Sequence, residues 1–320
     1  MIGYWESYGQ RHLSQVPPEY DVVAVAFALT GGTHNATITF SPSAETRAQV
    51  IADVATLHGR RQKVVLSIGG QTANNLQLLN ATDVAAFETS VEALMDKYGF
   101  DGIDLDLENA TLSLQPGDND FAHPTTPTIA NLITACNDLA AHFGSGFMIT
   151  MAPETLNIDA FGTYGGQNGS YLPLIYGLGS NLTYVATQCY NSGSQYARGG
   201  RIFNQGTPDF CVAMADLLLG GYVLANGQHF PPLDPSQVAF GIPATAAASP
   251  RGGFMTPVKV LNAAKYIGSH ISYPTRTYNL SRGTGYPRFA GVMCFDINYD
   301  QANSLAMSKK LVPYLHAIGN

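Results

Sequence analysis

The sequence predicts a single (β/α)8 TIM barrel, of the α/β class, spanning residues 1–320. Three observations predict it. Eight short apolar runs bounded by turn residues recur along the chain, segments of helical period separate most of them, and no Pro/Gly/Ser-rich linker divides the whole. Near-continuous apolar runs mark parallel strands buried on both faces, and eight such strands with intervening helices can close on themselves. An open doubly wound sheet would carry a Gly-rich phosphate loop after its first strand, whereas here Glu6-Ser7-Tyr8-Gly9 follows.

In chain order, Met1–Trp5 is the first predicted strand. The following Glu6–Tyr20 is too rich in Gly, Pro and Tyr for more than short helical turns. Val22–Leu29, the longest purely apolar run, is the second strand, followed by a helix over Ala44–His58 with apolar residues at i, i+3 and i+4. Lys63–Ile68 and the helix Asp83–Tyr98 come next, then Gly102–Leu107 and the helix Ile129–Phe143. Phe147–Ala152 precedes a second loop-like stretch, Asn157–Asn181. Tyr184–Tyr190 with helix Asp209–Leu219, Val238–Ile242 with helix Val258–Ile267, and Gly291–Ile297 with helix Ala302–Leu315 complete the series.

Composition narrows the function classes. Sixteen Lys+Arg oppose 23 Asp+Glu for a net charge of −7, and only 12% of residues are charged against 45% hydrophobic. Disorder is excluded, and no apolar run approaches the roughly 20 residues that span a bilayer. Without a Lys/Arg cluster no nucleic-acid partner is expected. Cys136, Cys189, Cys211 and Cys294 show no metal-ligand spacing, and Cys189 and Cys294 sit in apolar segments as expected of buried free thiols. Neither a metal nor a cofactor is expected. Ile2-Gly3-Tyr4-Trp5 already reads as a strand, with no basic segment before it, so the chain is either cytosolic or a secreted one whose leader has been removed. Six Asn-x-Ser/Thr triplets (Asn35, Asn80, Asn109, Asn168, Asn181, Asn279) are compatible with secretion.

The most informative stretch is Asp101-Gly102-Ile103-Asp104-Leu105-Asp106-Leu107-Glu108, which holds four of the 23 acids. Side chains alternate along a strand, so Asp104, Asp106 and Glu108 share one face, while Ile103, Leu105 and Leu107 share the other. With the apolar set against the outer helices, the acids face the barrel interior and Glu108 reaches its carboxyl-terminal mouth. Like charges about 6–7 Å apart in a confined site cannot all ionise cheaply, so at least one should keep a proton, as a general acid must. A solvated edge strand would also tolerate three acids, but a central parallel strand would not. A calcium loop needs polar residues between its acids, and Ile and Leu stand there instead. Asp101 has the opposite parity and is expected to hydrogen-bond the beginning of the strand.

That octapeptide resembles the DxxDxDxE signature of glycoside hydrolase family 18, the chitinase family. Ser67-Ile68-Gly69-Gly70, Met151-Ala152-Pro153-Glu154 and Gln188-Cys189-Tyr190-Asn191 resemble the family's motifs at the ends of the third, fifth and sixth strands. Ser192-Gly193-Ser194 and Gly206-Thr207-Pro208-Asp209-Phe210 resemble a bacterial-type chitinase subgroup. The resemblance implies an endo-acting, retaining enzyme in which the substrate's own N-acetyl oxygen attacks the anomeric carbon. Glu108 would be the general acid and base. Asp106 would orient the acetamido group and stabilise the oxazolinium intermediate, Asp104 would share a proton with Asp106, and Tyr190 would donate its hydroxyl to the acetamido carbonyl.

Tyr4, Phe27, Gly70, Met151, Gln188, Asn191 and Phe295 are the expected substrate-binding residues, with Met151 and Gln188 on the floor of the site and the Gly70 contribution one of backbone geometry. Phe295 stands where the family usually has a Trp, and Trp5 is the only Trp in the chain. A row of exposed Trp along the cleft is therefore impossible, and a non-processive monomer acting on chitin or N-acetylglucosamine oligosaccharides is expected. Two alternatives stay open: an endo-β-N-acetylglucosaminidase acting on the chitobiose core of N-glycans, and a chitin-binding lectin without activity. Family lectins typically lack the acid that Glu108 supplies here.

Overall fold

In the computed structural model, which describes residues 1–73 and 75–318, eight parallel strands close into a barrel ringed by helices. The strands are β1 (Ile2–Glu6), β2 (Val22–Gly31), β3 (Lys63–Gly69), β4 (Gly102–Asp106), β5 (Met148–Met151), β6 (Tyr184–Gln188), β7 (Val238–Pro243) and β8 (Gly291–Phe295). Each pairs in parallel with the next, and β1 pairs with both β2 and β8, which closes the ring. Outside it lie α1 (Arg47–Gly59), α2 (Ala81–Tyr98), α3 (Pro127–Phe143), α4 (Leu172–Leu178), α5 (Pro208–Gly220), α6 (Pro257–Ser269) and α7 (Ala306–Ile318).

Alternation along the strands produces two apolar layers. Ile103 and Leu105 of β4, Val64 and Leu66 of β3, and Val185 of β6 pack outward against the helices. Ile2, Tyr4, Ala24, Val65, Tyr184, Ala186 and Met293 fill the barrel. Helix ends follow local chemistry: the Thr46 hydroxyl accepts from Gln49 N–H at the start of α1, and Asn80 accepts from Thr82 and Asp83 N–H at the start of α2.

The departures from the sequence reading lie at element ends. β4 stops at Asp106, β6 at Gln188 and β8 at Phe295, so Leu107, Tyr190 and Ile297 are not strand residues. The helix expected over Ala302–Leu315 starts later, as α7 at Ala306, and left-handed Ser304 and Leu305 separate it from a short helix, Ile297–Ala302. Buried Asp300 holds the break, accepting from Met307 N–H and Ser308 Oγ and from the Tyr20 hydroxyl. β2 runs on into an antiparallel hairpin with Thr37–Thr39 that the sequence reading did not include. Glu6–Tyr20 and Asn157–Asn181 contain only short helical segments, as expected. All four cysteines are buried without disulfides, and among the described residues no helix is long and apolar enough to cross a membrane.

Candidate active site

Register places the acids. β3 and β5 flank β4 so that Ser67 and Thr150 stand level with Asp104 on either side. Their hydroxyls donate to it, Ser67 Oγ to Oδ2 at 2.7 Å and Thr150 Oγ1 to Oδ1 at 2.6 Å, and Tyr4 Oη reaches Oδ2 at 2.5 Å from across the barrel. Burial pushes the Asp104 carboxyl up, and these three hydrogen bonds pull against that shift. Asp104 acts on Asp106 through its charge; its own oxygens are occupied by hydroxyls of neighbouring strands.

Two residues further, Asp106 is also buried, and the Gln188 amide donates to its Oδ1 at 2.8 Å. Burial, together with the charges of Glu108, Asp104 and Glu154, pushes the Asp106 carboxyl well above the ordinary range. Beyond the strand, the Tyr171 hydroxyl accepts from Leu107 N–H at 2.8 Å and lies 3.2 Å from the carbonyls of Leu105 and Leu107. That clasp sets the path of the backbone on which Glu108 emerges into the cleft. Burial and the neighbouring Glu154 charge raise the Glu108 pKa, and Arg251 and the Gln188 amide, 3.4 Å from Oε1, oppose the shift.

Glu108, Gln188, Tyr190, Asn191, Phe27 and Phe295 all line one cleft of about 470 Å³ at the carboxyl-terminal mouth of the barrel. Phe27 reaches it because a bulge in β2 between Val25 and Ala28 shifts the alternation there. Tyr4 lies beneath, buried, its ring 6.1 Å from Phe27 and 5.8 Å from Phe295. Phe295 in turn stacks on Tyr190 with centroids 5.9 Å apart and planes 22° from parallel. Gly70 supports the cleft rather than lining it: at φ +76°, a Cβ there would stand 2.9 Å from the Phe27 ring, and its N–H donates to Asp106 O.

Met151 corrects the sequence reading. It is fully buried in the layer between barrel and helices, because Thr150 and Ala152 take the inward positions of that strand. The floor position expected of it is out of reach. The same parity places Glu154 in the cleft, where it accepts from Asn109 N–H; continuing the 148, 150, 152 alternation would have found it. Arg251, from the loop after β7, carried no sequence signal. Asp101 stands where expected, its carboxylate accepting from Val64 N–H and paired with Lys63 and His58 at the beginning of β3 and β4.

Outside the cleft, His12, Glu45 and Asp53 each bring a metal-ligating atom within 4.8 Å of one another. Glu45 pairs with His12 and accepts from Leu13 N–H, and Asp53 accepts from Ser14 N–H, so these contacts tie the loop after β1 to α1 and the residue run before it.

A profile described as "Glycosyl hydrolases family 18" matches residues 1–198, and the whole chain aligns with members of the same kind. The chain belongs to glycosyl hydrolase family 18. It is 39% identical over 325 residues to Chitinase Chi52 of Paenibacillus xylanexedens, covering 99% of this chain and 62% of that one. To Exochitinase 1 of Streptomyces olivaceoviridis it is 36% identical over 314 residues, with 92% and 51% covered. The structure of a family GH18 chitinase from Chromobacterium violaceum superposes with a TM-score of 0.88 at 34% identity, covering 98% of this chain and 83% of that one. The chain thus spans less than two thirds of the length of Chi52 and of Exochitinase 1. Glu108, two residues past the end of β4, stands at the mouth of the family 18 barrel, where barrel enzymes carry out their chemistry.

Proposed function

We propose that this family 18 chain is an endo-acting chitinase, cutting β-1,4 bonds between N-acetylglucosamine units with retention by a substrate-assisted mechanism. The observation that carries the reading is the ladder Asp104, Asp106, Glu108. It passes from a hydroxyl-clamped buried acid, through one with a strongly raised pKa, to one that opens into the cleft.

Glu108, with its raised pKa, protonates the glycosidic oxygen as the bond to the anomeric carbon breaks. The acetamido carbonyl oxygen of the same sugar closes on that carbon to give an oxazolinium ion, so no protein nucleophile is consumed. Asp106 accepts the acetamido N–H through a carboxyl oxygen, orients the group for attack, and its dipole stabilises the cation as it forms. The Tyr190 hydroxyl donates to the acetamido carbonyl and holds it near its target, which turns a loose encounter into a positioned attack. Glu108, now a carboxylate, takes a proton from water, which opens the oxazolinium from the face the leaving group vacated.

Phe295 offers a stacking face beneath the reacting sugar, smaller than indole and without its N–H. The only Trp, Trp5, is buried, so no Trp row runs along the cleft to hold a sliding chain. This supports non-processive, internal cleavage. An insoluble polymer cannot enter a cell, so an extracellular setting fits the substrate, with residues 1–320 acting as one catalytic domain.

The test is digestion of chitohexaose with product analysis by mass spectrometry. Mixed dimers, trimers and tetramers are expected from the start, and Glu108→Gln should lower the rate at least ~100-fold without losing its circular-dichroism spectrum. Exclusive release of a single product from one end would contradict internal cleavage, and full activity in Glu108→Gln would remove Glu108 from the chemistry.

A further inference from the structure

A second carboxyl pair stands at the carboxyl-terminal ends of β1 and β8, and one of its members, Glu6, lines the cleft. Asp296, directly after Phe295, is fully buried; its Oδ1 accepts from Tyr299 N–H at 2.9 Å, and its Oδ2 is enclosed without a donor. The group lying against it is another acceptor, the carboxylate of Glu6 at the end of β1. Two carboxylates in contact relieve their repulsion when they hold a proton in common. Burial and the Glu6 charge accordingly push Asp296 up to about 8.

Asp296 is sealed off, but Glu6 is half-buried and lines the cleft next to Phe295, with Tyr8 and Tyr299 beside it. The Tyr8 hydroxyl donates to Glu6 Oε1 at 3.0 Å, and both tyrosines are exposed there, 55% and 37%. A carboxylate with exposed aromatic rings in the same cleft matches what a pyranose presents: hydroxyl donors at its edge and an apolar face.

We propose that Glu6 is a substrate-binding residue that accepts hydrogen bonds from a hydroxyl of the sugar seated beside Phe295, and that Asp296 positions it through one shared proton. The inference rests on the chitinase reading, since that reading supplies the sugar. Asp296 is a positioning residue only. It has no access to the cleft and touches the substrate through Glu6 alone. The shared proton leaves the pair with a single negative charge, so Glu6 keeps acceptor capacity toward the cleft while its other face is held.

Calorimetric titration of chitohexaose into the Glu108→Gln protein, which binds without turning over, provides the test. Adding Glu6→Ala should weaken Kd at least ~10-fold, the loss expected of a hydrogen bond to a charged group. Asp296→Asn keeps a donor toward Glu6 and should stay within about 3-fold, whereas Asp296→Ala should match Glu6→Ala. In the active protein Glu6→Ala should raise KM and leave kcat nearly unchanged, which a general loss of structure would not do. Should Asp296→Ala fail to fold, Glu6→Ala, at a half-buried position, carries the test alone. An unchanged Kd in Glu6→Ala, or Asp296→Asn as weak as Asp296→Ala, overturns the inference while leaving the chitinase reading intact. Failure of the Glu108→Gln parent itself to bind chitohexaose overturns both.

Discussion

The Gln188 side-chain amide donates to Asp106 Oδ1 at 2.8 Å while the same nitrogen lies 3.4 Å from Glu108 Oε1. One neutral group thus stands between the two acids on which the proposed chemistry depends, and its carboxyl-directed hydrogen bond opposes the upward shift of both. Gln188→Leu should lower kcat on chitohexaose by roughly 10–100-fold, since it removes a hydrogen bond to an acid in a buried site. Gln188→Glu should be worse, because it adds a further like charge beside Asp106 and Glu108. Initial rates of the two variants measure this, and a Gln188→Leu enzyme with more than half the parent rate would mean that the amide orients nothing.

Glu108 has to carry a proton for the first step, so activity falls as pH rises through its raised pKa. Glu154 contributes to that rise and Arg251 opposes it. Glu154→Gln removes a negative neighbour and should move the alkaline limb of kcat to lower pH. Arg251→Ala removes a positive one and should move it higher, each by roughly half a unit to one unit. The pH–rate profiles of the two variants should therefore separate in opposite directions from the parent; shifts of the same sign would remove Glu108 from that limb.

Much of this site was legible in the sequence because strand parity is a strong constraint. Alternation placed Asp104, Asp106 and Glu108 on one face, and closure into a barrel made that face the interior. The same rule rejects Met151, which the resemblance alone had put on the floor, and it would have admitted Glu154 had the count been carried two residues past the strand. Phe27 escapes the rule because the β2 bulge shifts the alternation. What sequence could not supply were contacts between residues far apart in the chain: Tyr171 clasping the backbone before Glu108, Arg251 near its carboxyl, and Asp296 against Glu6. Such pairings are set by how the loops fold over the mouth of the barrel, where no periodicity guides the reading.

Holding Asp106 in an apolar barrel also bears on stability. Its folded pKa lies well above the unfolded value of about 3.9. The native state therefore binds the extra proton, and stability falls as pH rises from about 4 toward the folded pKa, by up to about 1.4 kcal/mol per pH unit. Asp106→Asn abolishes this charge and should be more stable than the parent at pH 7, by roughly 2–6 °C in Tm, while losing activity. Because Asp106 is protonated in both states below that window, the gap should shrink at pH 4. Thermal unfolding at the two pH values tests it, and a variant less stable at pH 7 than at pH 4 relative to the parent would reverse the assigned sign.

The central claim is that the acetamido oxygen of the substrate attacks the anomeric carbon and that water then opens the oxazolinium from the opposite face. Two inversions give net retention. Proton NMR of a chitohexaose digest, recorded before mutarotation equilibrates the new reducing ends, reads the outcome directly. The β-anomer in excess at the earliest times is the predicted result, and initial formation of the α-anomer would contradict the mechanism.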